Sequence, residues 1–195
     1  PSYRIGASMS IAAAGYGAAL DLYVTPGAQR LIAAVAGSST GLSARAESPV
    51  IELDFQPEIT TQIASRFVAE GAAFVDGLTV SVSKGTWINL DGAPIEVTAT
   101  GTLYGPFDEQ PTEADTPPAD APVAGTETVT LTGAGSYTSP GTIIAPESGF
   151  YTWVWAIDKD AHGDHAKYLT DSFTDHYGQV TETSVVPFQP IAVSE

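Results

Sequence analysis

The densest chemistry in this 195-residue chain sits in one short run, Asp158-Lys159-Asp160-Ala161-His162-Gly163-Asp164-His165. Alternating carboxylates around a glycine suit a calcium loop, and two histidines three apart could serve zinc. The glutamate that closes an EF-hand loop is missing and no helical pattern flanks the run, so a polar hairpin loop is expected and no metal is assigned. Trp87, Trp153 and Trp155 could line a carbohydrate groove. Trp153 and Trp155 are two apart, on one face of a strand, and a β-sandwich core uses aromatics in the same way, so packing is the preferred reading. No Ser–His–Asp triad and no catalytic carboxylate pair stands out among the 23 acidic residues. A lysine–asparagine isopeptide is poorly served. The lysines are Lys84, Lys159 and Lys167, and the one asparagine, Asn89, lies five residues from Lys84 across a turn. An isopeptide to an aspartate stays open.

Composition narrows the classes. The chain has no cysteine, which excludes a disulfide framework, thiolate chemistry and Cys-ligated zinc. Its 7 basic residues against 23 acidic ones give a net charge of −16, and scattered cations cannot neutralise a run of phosphates, so nucleic acid is not a partner. No apolar run approaches the ~20 residues of a membrane span, and no membrane insertion is expected. Apolar residues at 43% with 15% charged fit a folded chain. A start at Pro1 reads as a processed or excised chain.

The elements that must position any chemistry are strands. Period-2 alternation runs through residues 73–82, 95–104 and 126–132, and Gly149 to Ile157 is the most strand-like run of all. Glycine, proline and Asp91-Gly92 punctuate these runs as hairpin turns require. Helix signals over Ile59 to Glu70 and Gly27 to Ala36 are thin, because Thr60 and Thr61 are β-branched and neither stretch has a cap. The segment Pro106 to Pro122 carries five prolines among carboxylates and reads as a long solvated loop inside a domain. The expected fold is all-β, an Ig-like β-sandwich module preceded by a smaller β piece. Phe55-Gln56-Pro57 recurs as Phe188-Gln189-Pro190, at a spacing of 188 − 55 = 133. This echo suggests boundaries of a repeated module: a piece at 1–56, with strands at Ala18 to Thr25 and Pro49 to Phe55, a whole module at 57–187, and the start of the next at 188–195.

Three phrases carry a family resemblance: Glu58-Ile59-Thr60-Thr61-Gln62, Phe74-Val75-Asp76-Gly77-Leu78-Thr79-Val80 and Val97-Thr98-Ala99-Thr100-Gly101-Thr102-Leu103. In order and spacing they resemble the Thr–Gln ester-bond (VaFE-type) domains of Gram-positive surface adhesins, whose modules close on an acidic stretch running into a glutamine. Here that stretch would be Asp171 to Val180. The resemblance implies that a threonine hydroxyl on the first strand attacks a glutamine amide on the last, releasing ammonia and leaving an intramolecular ester. It implies Thr61 as nucleophile, with Thr60 as the neighbour that could replace it, Gln179 as acyl acceptor and Asp76 as the proton-holding partner. The family's histidine lies eight residues before the glutamine, where this chain has Asp171, and His176 lies three before; both are carried as acid–base helpers. The family's glutamate falls in the phrase matched by Thr152 to Trp155, which has no carboxylate, and Asp158 or Glu147 could substitute.

From the residues alone, Thr60 and Thr61 are ordinary strand residues, Gln179 a surface side chain and Asp76 a turn acceptor. The resemblance further implies a stalk module of a bacterial cell-surface protein, extracellular or wall-attached, monomeric and without cofactor. It would not be an enzyme beyond its own cross-linking, and its partners would be neighbouring modules of the same parent chain. The alternatives are a carbohydrate- or ligand-binding sandwich of a secreted protein, and a secreted hydrolase.

Overall fold

The computed structural model describes residues 54–188 and, before them, the backbone of four short strands. These are β1 (Tyr3–Ile5), β2 (Leu22–Val24), β3 (Ile32–Ala36) and β4 (Ser43–Glu47), with β1 antiparallel to β2 and β3 to β4. The expected strand over Pro49 to Phe55 lies mostly outside the described residues, as do Gln189 and Pro190 of the second Phe-Gln-Pro copy and the remainder of 188–195.

From Gln56 onward the chain is built of antiparallel strands in two facing sheets. One has the order β11 (Gly135–Thr138), β6 (Asp76–Lys84), β5 (Gln56–Ile63). The other has the order β10 (Val123–Leu131), β9 (Val97–Phe107), β12 (Gly149–Ile157), β13 (Phe173–Thr174), with β14 (Thr183–Val186) also on β12. The small hairpin β7 (Asn89–Leu90) and β8 (Ala93–Pro94) turns at Asp91-Gly92, both at positive φ, as the turn chemistry of that dipeptide requires. The all-β expectation holds, and the alternating runs are strands.

Alternation fixes which side chains meet. Val97, Ala99 and Leu103 of β9 face inward with Thr98 and Thr100 outward, while Asp76, Leu78 and Val80 of β6 face them from the other sheet. Trp153 and Trp155 are 1% and 0% exposed and their rings stack 5.5 Å apart, so they are core and cannot offer a face to a sugar. Trp87 is half-buried against Phe55. Phe74 meets Tyr151 between the layers, ring centroids 4.7 Å apart. Each such buried side chain contributes about 1.5–3 kcal/mol.

Gly101 makes room for the larger tryptophan. It pairs across the strands with Trp155, and a Cβ there would come within 2.6 Å of the indole ring. We expect Gly101→Ala to cost about 1–3 kcal/mol as an overpacked site. It should also shift the tryptophan emission, and urea titration followed by fluorescence reads both. An unchanged midpoint and spectrum would show that the indole has slack.

The proline-rich segment is, as expected, a long connection within the sandwich, joining neighbouring strands β9 and β10. Its middle is anchored: Ala114 and Tyr177 exchange two backbone hydrogen bonds of 3.0 and 2.8 Å. The acidic run at 158–165 differs from the hairpin loop expected of it. It forms a 3-10 segment, Lys159–Tyr168, interrupted at Gly163 (φ 53°), because Asp158 accepts the Asp160 N–H as a cap. His162 is structural there: its Nε2 accepts the Thr98 N–H at 2.8 Å, which leaves the proton on Nδ1, 2.6 Å from the Asp158 carbonyl. Among the described residues no group of three His, Cys, Asp or Glu side chains could hold a metal ion. No helix among them is long and apolar enough to cross a membrane.

Candidate functional site

Thr61 lies on β5, an edge strand of its sheet, two residues beyond buried Ile59 and therefore on the inward side. Thr60 is exposed, its hydroxyl 3.4 Å from the Thr79 carbonyl. Of the two threonines, only Thr61 points toward the last strands. Its hydroxyl donates to Asp175 Oδ2 at 3.2 Å.

The segment that meets it follows β13. Asp175 is fixed by its own N–H to the Trp155 carbonyl, 2.8 Å, and its Oδ1 accepts the His176 N–H at 2.8 Å. The chain then turns through Gly178 at φ 77°, where a Cβ would come within 2.6 Å of the Thr112 carbonyl of the long loop. Only glycine allows that approach. Gln179 follows, and its side-chain Nε2 donates to Asp175 Oδ1 at 2.8 Å and to the His176 carbonyl at 3.3 Å. One carboxylate thus holds a hydroxyl and an amide separated by 179 − 61 = 118 positions.

Two further carboxyls are buried beside them. Asp76, 0% exposed, opens β6; its Oδ2 accepts the Trp155 indole N–H from the opposite sheet at 2.7 Å, and its Oδ1 accepts the Gly77 N–H at 3.0 Å. Glu182, 1% exposed, ends the 3-10 turn Val180–Glu182 that follows Gln179. Burial pushes both up, Asp76 to about 6 and Glu182 to about 8. The Trp155 N–H opposes the rise at Asp76, whereas the Asp76 charge adds to it at Glu182. The two carboxyls are hydrogen-bonded to each other and titrate as one coupled pair, in which burial favours holding a proton. Glu182 also interacts with the Thr61 hydroxyl, and Asp175 lies near enough for its charge to raise both members of the pair.

Thr61, Gln179 and Asp76 thus converge on one cluster. Asp171 and His176 stand outside it. Asp171 is exposed, with its N–H on Gln56 Oε1, and the exposed His176 ring turns to Asp115 of the long loop at 3.3 Å. Asp158 and Glu147, the carboxylates suggested in place of the family's glutamate, are exposed as well. Asp175 and Glu182 fill the site instead. Asp175 was visible in the sequence as an acid one short turn before Gln179. Glu182 carried only the faint signal of a lone carboxylate entering the apolar strand Thr183–Val186.

The other buried carboxylate is accounted for structurally. Glu127 accepts the backbone N–H groups of Gly141, Thr142 and Ile143 and the Thr142 hydroxyl, and these bonds outweigh its desolvation and hold its carboxyl below the usual range.

Against models of protein families the chain matches none, and no curated protein matches it.

Proposed function

We propose that the sandwich over residues 57–187 is a structural stalk module of a bacterial cell-surface protein, locked by an ester between Thr61 and Gln179. The observation that carries the reading is the convergence of these two side chains on Asp175. The first strand and the turn that leads into the last strand meet here, and they bring a hydroxyl and a side-chain amide to hydrogen-bonding range of one carboxylate. Such positioning removes most of the entropic barrier to reaction with a poor electrophile.

In the reaction, Thr61 Oγ1 bonds to Cδ of Gln179, the Cδ–Nε2 bond breaks, and ammonia leaves with the hydroxyl proton. The negative charge passing onto Gln179 Oε1 calls for a donor, and a carboxyl kept neutral by burial is one. The Asp76–Glu182 pair, near enough to Asp175 for its charge to act on both, places buried carboxyls beside the reacting groups. Thr61, Asp175 and Gln179 are half-buried, with the fully buried Asp76 and Glu182 beside them. Without cysteine, a clamp of this kind does for an extracellular chain what a disulfide would. The glycan-binding alternative drew on Trp87, Trp153 and Trp155, of which Trp153 and Trp155 are buried and Trp87 half-buried.

Intact-mass spectrometry of the purified chain tests the reading. The folded protein should weigh less than its sequence by one ammonia, and digestion should yield a branched peptide joining the Thr61 strand to the Gln179 segment. Thr61→Ala should restore the full mass. A wild-type protein at its full sequence mass would sink the ester.

A further inference from the structure

The site contains three carboxyls, and they are not equivalent. Asp76 is held by the Trp155 indole N–H on Oδ2 and the Gly77 N–H on Oδ1, and it is paired with Glu182. Glu182 is bound up with Asp76 in that coupled pair, its carboxyl pushed up by burial. Asp175 alone touches both reacting groups: Thr61 Oγ1 at 3.2 Å on Oδ2 and Gln179 Nε2 at 2.8 Å on Oδ1. A general base must lie within reach of the proton it takes, and Asp175 meets that requirement.

Its position is held from three sides. The Asp175 N–H is tied to the Trp155 carbonyl in the centre of the second sheet, and the His176 N–H closes onto its own Oδ1. Beyond it, the long acidic loop grips the turn through the paired Ala114–Tyr177 hydrogen bonds. The Tyr177 ring stands edge-on to Tyr104, centroids 5.7 Å apart.

Resting on the ester reading above, we infer that Asp175 is the proton carrier of the condensation: a catalytic carboxylate that takes the hydroxyl proton of Thr61 and delivers it to the departing nitrogen of Gln179. The ionised carboxylate removes the proton from Oγ1 as the Oγ1–Cδ bond forms. The amide nitrogen loses its conjugation in the tetrahedral intermediate and becomes basic. It takes the proton from the now neutral Asp175 as the Cδ–Nε2 bond breaks, leaves as ammonia with its own two hydrogens, and Asp175 returns to its ionised form. The histidine that the family pattern would supply as base is then not needed, which agrees with Asp171 and His176 facing outward.

The test compares the full chain with Asp175→Asn and Asp175→Ala, each checked for fold by circular dichroism and followed by intact mass. Asparagine keeps the shape and can hold both partners but has no basicity, so Asp175→Asn should stay at its full sequence mass over a period in which the wild type is completely condensed. Asp175→Ala should also stay uncondensed in sodium chloride, and sodium formate at equal ionic strength should restore the loss of ammonia by placing a small carboxylate in the vacated space. A residue that only positioned its neighbours would not respond to formate. Wild-type protein lacking an ammonia, with Asp175→Asn lacking it equally, overturns the inference and leaves the ester intact. A folded Asp175→Ala protein that formate fails to rescue overturns the proton-carrier role. Wild-type protein at full mass removes the ester and this inference with it.

Discussion

Thr61→Ala should lower the stability of the folded domain by about 5 kcal/mol, the largest single effect expected of any substitution in it. The proposed cross-link would close a loop of 118 positions, and the chain-entropy relation for a disulfide of that span gives about 5 kcal/mol at 25 °C. Whole domains are stable by only about 5–15 kcal/mol, so the loss would be comparable with the entire margin. The lost hydroxyl contributes little by comparison, since Thr61 is a half-buried strand residue with one hydrogen bond to a carboxylate. Urea unfolding of Thr61→Ala against wild type reads the difference. A midpoint within experimental error of wild type would mean that no covalent clamp constrains the unfolded chain. Thr60→Ala is the internal control: its side chain is exposed, and the substitution should leave both mass and midpoint near wild type.

The location of the proposed clamp fits the stalk role proposed for the module. The segment following β5 runs alongside β14: Val68 N–H donates to the Val185 carbonyl at 3.0 Å, Val185 N–H to the Arg66 carbonyl at 2.7 Å, and the Ser184 hydroxyl to the Ser65 carbonyl at 2.9 Å. The continuation of the first strand and the last strand are thus neighbours. Tension applied through the two ends would load this short set of hydrogen bonds first. A covalent bond between Thr61 and Gln179 carries that load around them, and forced unfolding is governed by the rate at which such contacts open.

How much of this was legible in the sequence depends on the kind of local structure. Where strands alternate, residue type and orientation could be read together. Gly149–Ile157 is a strand with the tryptophans inside, and the choice of Thr61 over Thr60 follows from counting two from Ile59. The acidic close of the module defeated the same counting. Asp171 and His176 stand at offsets of eight and three before Gln179, but the chain leading to Gln179 is a short strand and then a glycine turn. No single period relates offset to direction there. Glu182 was missed for the same reason. Its burial comes from contact with Asp76, a residue of the other sheet, and such a contact is set by tertiary closure rather than by local pattern. The run at 158–165 shows the converse. Its residue types suit a metal, yet Asp158 caps a 3-10 segment and His162 is held by the backbone of β9.

The second large effect concerns pH, and its sign is opposite to that of an ordinary acidic protein. Both Asp76 and Glu182 are raised in the folded state, to about 6 and about 8, chiefly by desolvation, whereas an unfolded chain would hold them near the usual ~4. Between those limits the folded state binds more protons than the unfolded one, so stability falls as pH rises. The contribution of the pair is fully present below about pH 4 and is lost as pH passes through about 6 and then about 8. The total is on the order of a few kcal/mol, because a tenfold change in proton affinity corresponds to about 1.4 kcal/mol and the two groups share one proton network. The experiment belongs in the Thr61→Ala background, where unfolding is not obscured by the covalent clamp. Urea midpoints there should decline steadily from mildly acidic to mildly alkaline buffer. Glu182→Gln should flatten the upper part of that decline, since a neutral amide replaces the group whose ionisation is most costly, while still offering a donor to Asp76. Trp155→Phe should act in the other direction. It removes the indole N–H that holds the Asp76 carboxyl down, so Asp76 titrates higher and the domain loses a buried hydrogen bond to a charged group, a cost of about 1.5–3 kcal/mol. A flat profile in the Thr61→Ala protein would mean that water reaches the two carboxyls. The same access would expose the Thr61–Gln179 ester to hydrolysis, so stability against pH and persistence of the cross-link should stand or fall together.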